Sequence, residues 1–186
     1  MTDDSRTRMI KSAATLIGTR GVNATSFSDV LADSGAPRGS IYHHFPDGKQ
    51  QLAEEAIRWT NERILAYQRG YDGATARGVL EHFIALWRAA FEASDWSMGC
   101  VIAGVAMDTD IRETRLTATA RETFEAWIAL LSGQLAARGV PPDRARHVAT
   151  ATLAGMEGAA VLCRVEGNAQ PLDLVAEELM RSLPAD

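Results

Sequence analysis

Between positions 38 and 43 the sequence sets Arg38, Ser40, Tyr42 and His43 around a single glycine, Gly39, and Lys49 follows shortly after. A planar guanidinium presents two parallel donors to a guanine edge, and a good bidentate pair of this kind discriminates between bases by about 1–3 kcal/mol. A serine hydroxyl and an imidazole also reach base edges. A phenol and an ammonium suit phosphate oxygens, which position a protein without reading sequence. Glycine removes a side chain where backbone and duplex would otherwise collide.

Other chemistries find little support in the residue spacing. His43 and His44 are neighbours, about 100° apart around a helix, so they cannot chelate one ion. His82 and His147 lack a ligand partner three or four residues away, apart from Asp143. There is no H-E-x-x-H, G-x-S-x-G, G-x-G-x-x-G or phosphate loop. No cofactor is expected. An enzyme would have to assemble scattered groups such as Glu157, Cys163 and Arg164, whose plain alternative is a set of buried polar groups satisfied by neighbours.

The reactive stretch sits among strong local signals. Ser26 is an N-cap with Asp29 three residues later, so a helix is expected to start near Phe27, with Val30 and Leu31 on its apolar side. Gly35 suits a left-handed C-cap, and Pro37 suits the first position of a further helix. In that helix Ile41 and Phe45 share one face, leaving Gly39, Ser40, Tyr42 and His43 on the other. Two short helices around a tight glycine turn make a helix-turn-helix, whose second helix enters a major groove. An earlier helix, capped by Asp4 or Ser5 and ended by Gly21, carries a core stripe from Met9 to Ile17. Its Arg6, Arg8 and Lys11 either approach phosphates or form a solvated basic face.

The run Thr25-Ser26, Asp29-Val30, Gly35, Gly39, Tyr42-His43-His44-Phe45, Lys49 and Leu52 resembles the signature of the TetR family of bacterial transcriptional regulators. The wording GAPRGSIYHHF and the extra residue in Phe45-Pro46-Asp47-Gly48-Lys49 are similar to its LmrA/YxaF-like branch. Pro37 stands where many members have a capping Ser, and Leu31 where many have Ala. The resemblance implies DNA contacts from Thr25, Ser26, Arg38, Gly39, Ser40, Tyr42, His43 and Lys49. It also implies a homodimer in which the last two long helices pair with their copies, and repression relieved by a small-molecule inducer.

Beyond residue 48 the periodicity stays helical and no strand alternation appears. A long helix is expected from Gly48 to about Arg69, with Leu52, Ala56, Trp59 and Ile64 on one side and a Glu54–Arg58 pair on the other. After the break at Gly70 to Gly78, Leu80, Phe83, Ile84, Trp87 and Phe91 form an aromatic stripe. Met98 to Met107 is a short apolar segment for a core or pocket, about half of the roughly 20 residues that span a bilayer. The Asp-Thr-Asp run at 108 to 110 is expected to cap a helix from Ile111 to Ala137. Pro141-Pro142-Asp143 opens the next, running to about Val165, and Pro171 the last.

Gly155 and Gly158 each cost roughly 1 kcal/mol relative to Ala inside that penultimate helix. Either they form a small-residue face with Ala151, Ala159 and Leu162 against a partner helix, or they make room for a ligand beside Met156. Leu172, Val175, Leu179 and Leu183 form the seam of the last helix. The residues taken as dimer contacts are therefore Ala151, Gly155, Gly158, Ala159, Leu162, Leu172, Val175 and Leu179. For an apolar or aromatic ligand they are Trp87, Phe91, Met107, Trp127, Met156 and Cys163.

The composition, 46% hydrophobic and 23% charged over 186 residues, is that of a globular protein. A net charge of −5 excludes indiscriminate coating of nucleic acid. Its distribution matters more: residues 1–52 hold six Lys or Arg against five acids, net +1, and residues 53–186 hold thirteen against nineteen, net −6. DNA would be met by the amino-terminal part through a few directed contacts. Two cysteines and the lack of an apolar signal segment point to the cytoplasm, with no membrane partner.

The resulting expectation is an all-α chain. Residues 1–50 form a three-helix helix-turn-helix DNA-binding domain, and residues 51–186 a larger helical ligand-binding and dimerisation domain. The function expected is a homodimeric repressor released from a palindromic double-stranded operator by a small apolar or aromatic inducer. The alternative is a helical small-molecule-binding protein or an enzyme whose helix-turn-helix no longer works.

Overall fold

The computed structural model describes residues 4–108 and 114–183. Every regular element among them is a helix: α1 (Ser5–Arg20), α2 (Phe27–Ser34), α3 (Ser40–His44), α4 (Gly48–Arg69), α5 (Ala76–Ala93), α6 (Val101–Asp108), α7 (Arg115–Ala136), α8 (Pro142–Glu166) and α9 (Gln170–Arg181). The chain forms two compact units, one of Met1–Arg63 with Gly99–Thr123, the other of Ile64–Met98 with Phe124–Asp186. The first unit thus reaches past residue 50 and takes in a later segment, because α6 packs on α1.

In the first unit the helix ends follow their local signals. Asp4 caps α1, its carboxylate accepting from the Thr7 N–H at 2.7 Å, and Gly21 stops it at φ +85°. Ser26 and Asp29 form a reciprocal capping box on α2, and Gly35 ends it in the left-handed region. Contrary to the expectation from the sequence, Pro37 does not begin regular helix. It opens a single turn, closed by the Ser40 N–H on its carbonyl at 3.0 Å, and α3 begins only at Ser40. Ile41 and Phe45 are fully buried with Met9, Ile17, Val30 and Leu52, each such side chain contributing about 1.5–3 kcal/mol of transfer free energy.

Glu54 departs from the expected pattern. It is only 3% exposed and accepts from Arg58 at 3.3 Å and from Arg115 of α7 at 2.7 Å. A carboxylate out of water needs such partners, so Glu54 faces inward while Arg58 stays 55% exposed.

α6 approaches α1 backbone to backbone. A Cβ on Gly18 would lie 2.4 Å from the Gly99 carbonyl oxygen, and one on Gly104 2.4 Å from that of Ile17. Only side-chain-free positions permit this distance. Asp108 closes α6 instead of opening the next helix; Thr114 caps α7, its hydroxyl accepting from the Thr117 N–H at 3.2 Å. Thr109, Asp110 and Ile111 lie outside the described residues.

In the second unit the α5 stripe of Leu80, Phe83, Ile84, Trp87 and Phe91 is buried as its spacing predicts. Trp127 and Leu131 of α7 and Met156 and Cys163 of α8 are buried as well. Gln68 and Gln134 bond reciprocally at 2.8 Å, side-chain amide to side-chain carbonyl and side-chain amide to backbone carbonyl. Gly155 is explained inside the chain, since a Cβ there would meet Val175 Cγ1 of α9 at 2.9 Å. Gly158 faces open space. α8 is long and apolar enough to cross a membrane by length and composition, and 44% of that apolar window is buried in the chain.

Candidate nucleic-acid interface

The polar residues of the helix-turn-helix are arranged by what lies beneath them. Ile41 and Phe45 anchor α3 in the core, so the intervening Tyr42 and His43 are forced outward, Tyr42 to 70% exposure. The Tyr42 ring stands edge-on to Phe27 of α2, with centroids 5.5 Å apart at 77°. That contact fixes the phenol's direction while its hydroxyl stays in solvent. Arg38 and Gly39 are exposed on the turn before α3, and nothing lies within 4 Å of the space a Gly39 side chain would take. Arg38, Gly39, Tyr42 and His43 therefore make one outward ridge. A guanidinium, an imidazole and a phenol on it can donate to base edges and phosphates.

Three of the expected contacts already hold hydrogen bonds within the chain. Thr25 is 2% exposed and its hydroxyl donates to the Gly21 carbonyl at 2.8 Å. Ser40 donates its hydroxyl to Pro37 O at 2.7 Å. Lys49 Nζ donates to Val22 O at 2.9 Å and reaches Asn23 O at 3.5 Å. These groups shape the surface by holding loops. Ser26 stays exposed, but its hydroxyl is shared with Asp29 at 2.7 Å and the Asp29 N–H at 3.2 Å. The Ser26 hydroxyl, and after it the Ser26 N–H, hold the Asp29 carboxyl below its ordinary range.

The early basic residues are also engaged. Arg6 pairs with Glu55 and lies over the Phe45 ring at 5.5 Å. Arg8 Nε donates to Ser34 O at 3.1 Å, bracing the end of α2, and Lys11 sits over Trp59 at 6.0 Å. Sequence reasoning missed Phe27, Asn23 and Asp108 as supports of this surface. Phe27 follows an N-cap and could have been found as the partner of an exposed tyrosine; Asn23 and Asp108 are 85 positions apart and carry no local signal.

The ligand candidates divide. Trp87, Phe91, Trp127, Met156 and Cys163 are all at least 95% buried in the second unit, whereas Met107 belongs to the first unit and is 85% exposed. Burial raises the Cys163 thiol above its ordinary pKa. The indole N–H of Trp87 is buried with no acceptor among the described residues. A groove of about 570 Å³ between α5 and α9 is lined by Arg77, Ile84, Arg88, Asp173 and Met180, and by none of the six candidates. Among the dimer candidates, Ala159, Leu172 and Leu179 are buried inside the unit and Val175 packs on Gly155, so the α9 seam serves the chain's own α8. Ala151, Gly158 and Leu162 are exposed along α8.

Comparison with known proteins agrees with this geometry. Residues 9–56 match the family described as bacterial regulatory proteins, tetR family, and residues 76–178 match the transcriptional regulator LmrA/YxaF-like C-terminal domain. An HTH-type transcriptional regulator of Mycobacterium tuberculosis (strain ATCC 25618 / H37Rv) is 39% identical, over 97% of this chain and 95% of that one. A TetR transcriptional regulator from Legionella pneumophila has the same fold at TM-score 0.88 and 23% identity, covering 98% of this chain and 99% of that one. A cysteine mutant of the regulator CifR, complexed with 26 bp double-strand operator DNA, shares the fold at TM-score 0.79 and 17% identity, over 99% and 98% of the two chains. The chain belongs to the TetR family of bacterial transcriptional regulators, with a carboxy-terminal domain of the LmrA/YxaF-like kind.

Proposed function

We propose that the protein is a homodimeric repressor that binds a palindromic operator and leaves it when a small apolar or aromatic ligand binds. The observation that carries the reading is the outward ridge of Arg38, Gly39, Tyr42 and His43 on a buried Ile41–Phe45 anchor. Two such ridges related by a two-fold axis read half-sites one helical turn of DNA apart, roughly 34 Å, or a multiple of that.

The dimer reading is supported by α8. Ala151, Ala154 and Gly158 run along its exposed side with Val161, Leu162 and Val165, which are 63%, 50% and 80% exposed. Exposed apolar side chains gathered on one helix face favour an interaction surface. Small residues on it allow a second helix to approach closely. The ligand reading is supported by the ladder Phe83, Trp87, Phe91, with successive ring centroids 6.3 and 5.8 Å apart, and by the unsatisfied Trp87 indole N–H. Such a donor would meet a ligand oxygen or nitrogen at the edge of an apolar body. Ligand preference for the non-binding conformation lowers operator affinity only by the difference in its affinity for the two states, about 1–3 kcal/mol of coupling.

The test is selection of DNA fragments by the purified protein, followed by the same measurement on Arg38→Ala and Tyr42→Ala. A palindrome is expected. Arg38→Ala should cost about 1–3 kcal/mol and relax preference at one base position in each half-site. Tyr42→Ala should weaken all sequences alike and leave the salt dependence unchanged, because a neutral phenol releases no counterion. Unchanged binding by both variants contradicts the assignment.

A further inference from the structure

The loop between α1 and α2, residues 21–25, is held from two sides. From α4, Lys49 Nζ donates to the carbonyl of Val22 and reaches that of Asn23. From α6, Asp108 Oδ2 accepts the backbone N–H of Asn23 at 2.9 Å, and Asn23 Nδ2 donates back to the Asp108 carbonyl at 3.0 Å. Within the loop, Thr25 donates its hydroxyl to Gly21 O and its N–H to Val22 O at 3.3 Å. The packing is tight: a Cβ on Gly21 would sit 2.2 Å from Asp108 Oδ2. Directly after this loop come Ser26, the cap of α2, and Phe27, against which Tyr42 stands.

We infer that Asp108 is a positioning residue for DNA reading, which fixes the α1–α2 loop through Asn23 and so presets the start of α2 and the direction of Tyr42. The inference rests on the DNA-reading function proposed above. A loop already in its working geometry loses no further freedom on binding, whereas a released loop must be ordered at that moment and the cost falls on the complex. It falls on the specific complex, because base contacts demand one geometry. Binding to random duplex draws on phosphate charge and tolerates many geometries. Loss of the Asp108 acceptor therefore erodes discrimination, not general attraction. Removing an acid leaves the electrostatic part unharmed.

The experiment compares the selected operator with a random duplex of equal length, at several salt concentrations and well below the melting midpoint of each protein. The proteins are wild type, Asp108→Ala, Asp108→Asn and Asn23→Ala. Asp108→Ala should weaken operator binding about three- to tenfold, the equivalent of one net hydrogen bond, with random-duplex binding unchanged within about twofold. Asp108→Asn keeps a side-chain oxygen for the Asn23 N–H and should recover most of the loss. The inference is overturned if Asp108→Ala binds operator as wild type does, if random duplex is lost in equal proportion, or if Asn restores nothing. A purely structural role lowers the melting midpoint and leaves the ratio of the two affinities intact. Should Asp108→Ala fail to fold, Asn23→Ala removes the side-chain half alone; an operator-specific loss of about twofold or more supports the inference and none overturns it. A wild-type protein that selects no sequence sinks the proposed function itself, while selection by wild type and every variant alike sinks only the role of Asp108.

Discussion

Ser26 carries the first turn of α2 with one hydroxyl, accepting from the Asp29 N–H and donating to the Asp29 carboxylate. Ser26→Ala should therefore destabilise the protein by about 0.5–2 kcal/mol at neutral pH, measured by thermal melting. The pH dependence has a defined sign. The Asp29 carboxyl is depressed in the folded chain, first by the Ser26 hydroxyl and then by the Ser26 N–H. Its contribution is fully present above the ordinary aspartate value, about 3.9, and is lost as pH falls through the lower folded value. The gap between wild type and variant should narrow below about pH 4; a constant gap down to pH 3 would contradict the box as the source.

At this scale the sequence was legible where neighbours decide the outcome. Caps at Asp4, Ser26 and Gly35, and the burial of Ile41 and Phe45, follow from spacing alone. The types of Thr25, Ser40 and Lys49 are right for DNA, yet each donor is taken up within the chain by a carbonyl of Gly21, Pro37 or Val22. No residue type announces where a neighbouring loop will present a carbonyl oxygen. The Glu54–Arg58 pair forms as its spacing predicts, but the burial of Glu54 was not legible for a related reason, its second partner being Arg115, 61 positions later.

Among the helices, length and start were readable from periodicity and punctuation, while partners were not. Met98 to Met107 read as apolar filling for a core or pocket; the structure makes its helical part, α6, a neighbour of α1 through paired glycines. The consequence is testable. Gly18→Ala should destabilise by about 1–3 kcal/mol although alanine favours helix, because the added methyl meets the backbone oxygen of Gly99, which no rotamer change can move aside. Gly133→Ala in α7, with nothing within 4 Å, is the control. It should stabilise by up to about 1 kcal/mol. Equal effects in denaturant unfolding would remove close packing as the explanation for Gly18.

For the molecule as a whole, the proposed dimer rests on an α8 face whose side chains the single chain leaves in solvent. Leu162→Glu with Val165→Glu should barely alter the stability of the monomer, since neither side chain is buried. It should shift sedimentation from twice the 20.1 kDa chain mass to one chain mass, and reduce operator affinity steeply, because each ridge then binds a half-site alone. A dimer that survives both charges places the interface elsewhere. The composition already hinted at such a surface, with Gly158 accepted inside a long helix. It gave no way to separate that glycine from Gly155, which serves contact with α9.

The backbone approach of α6 to α1 has a consequence for how such proteins can be recombined. With the carbonyls of Ile17 and Gly18 turned toward a segment about eighty positions further on, the amino-terminal helices are not a detachable cassette. A chimera grafting the first 63 residues onto another regulator's body would inherit a bare trough along α1. Only a body with its own side-chain-free pair at the matching places would fill it, so successful exchange should follow that pair and not overall similarity.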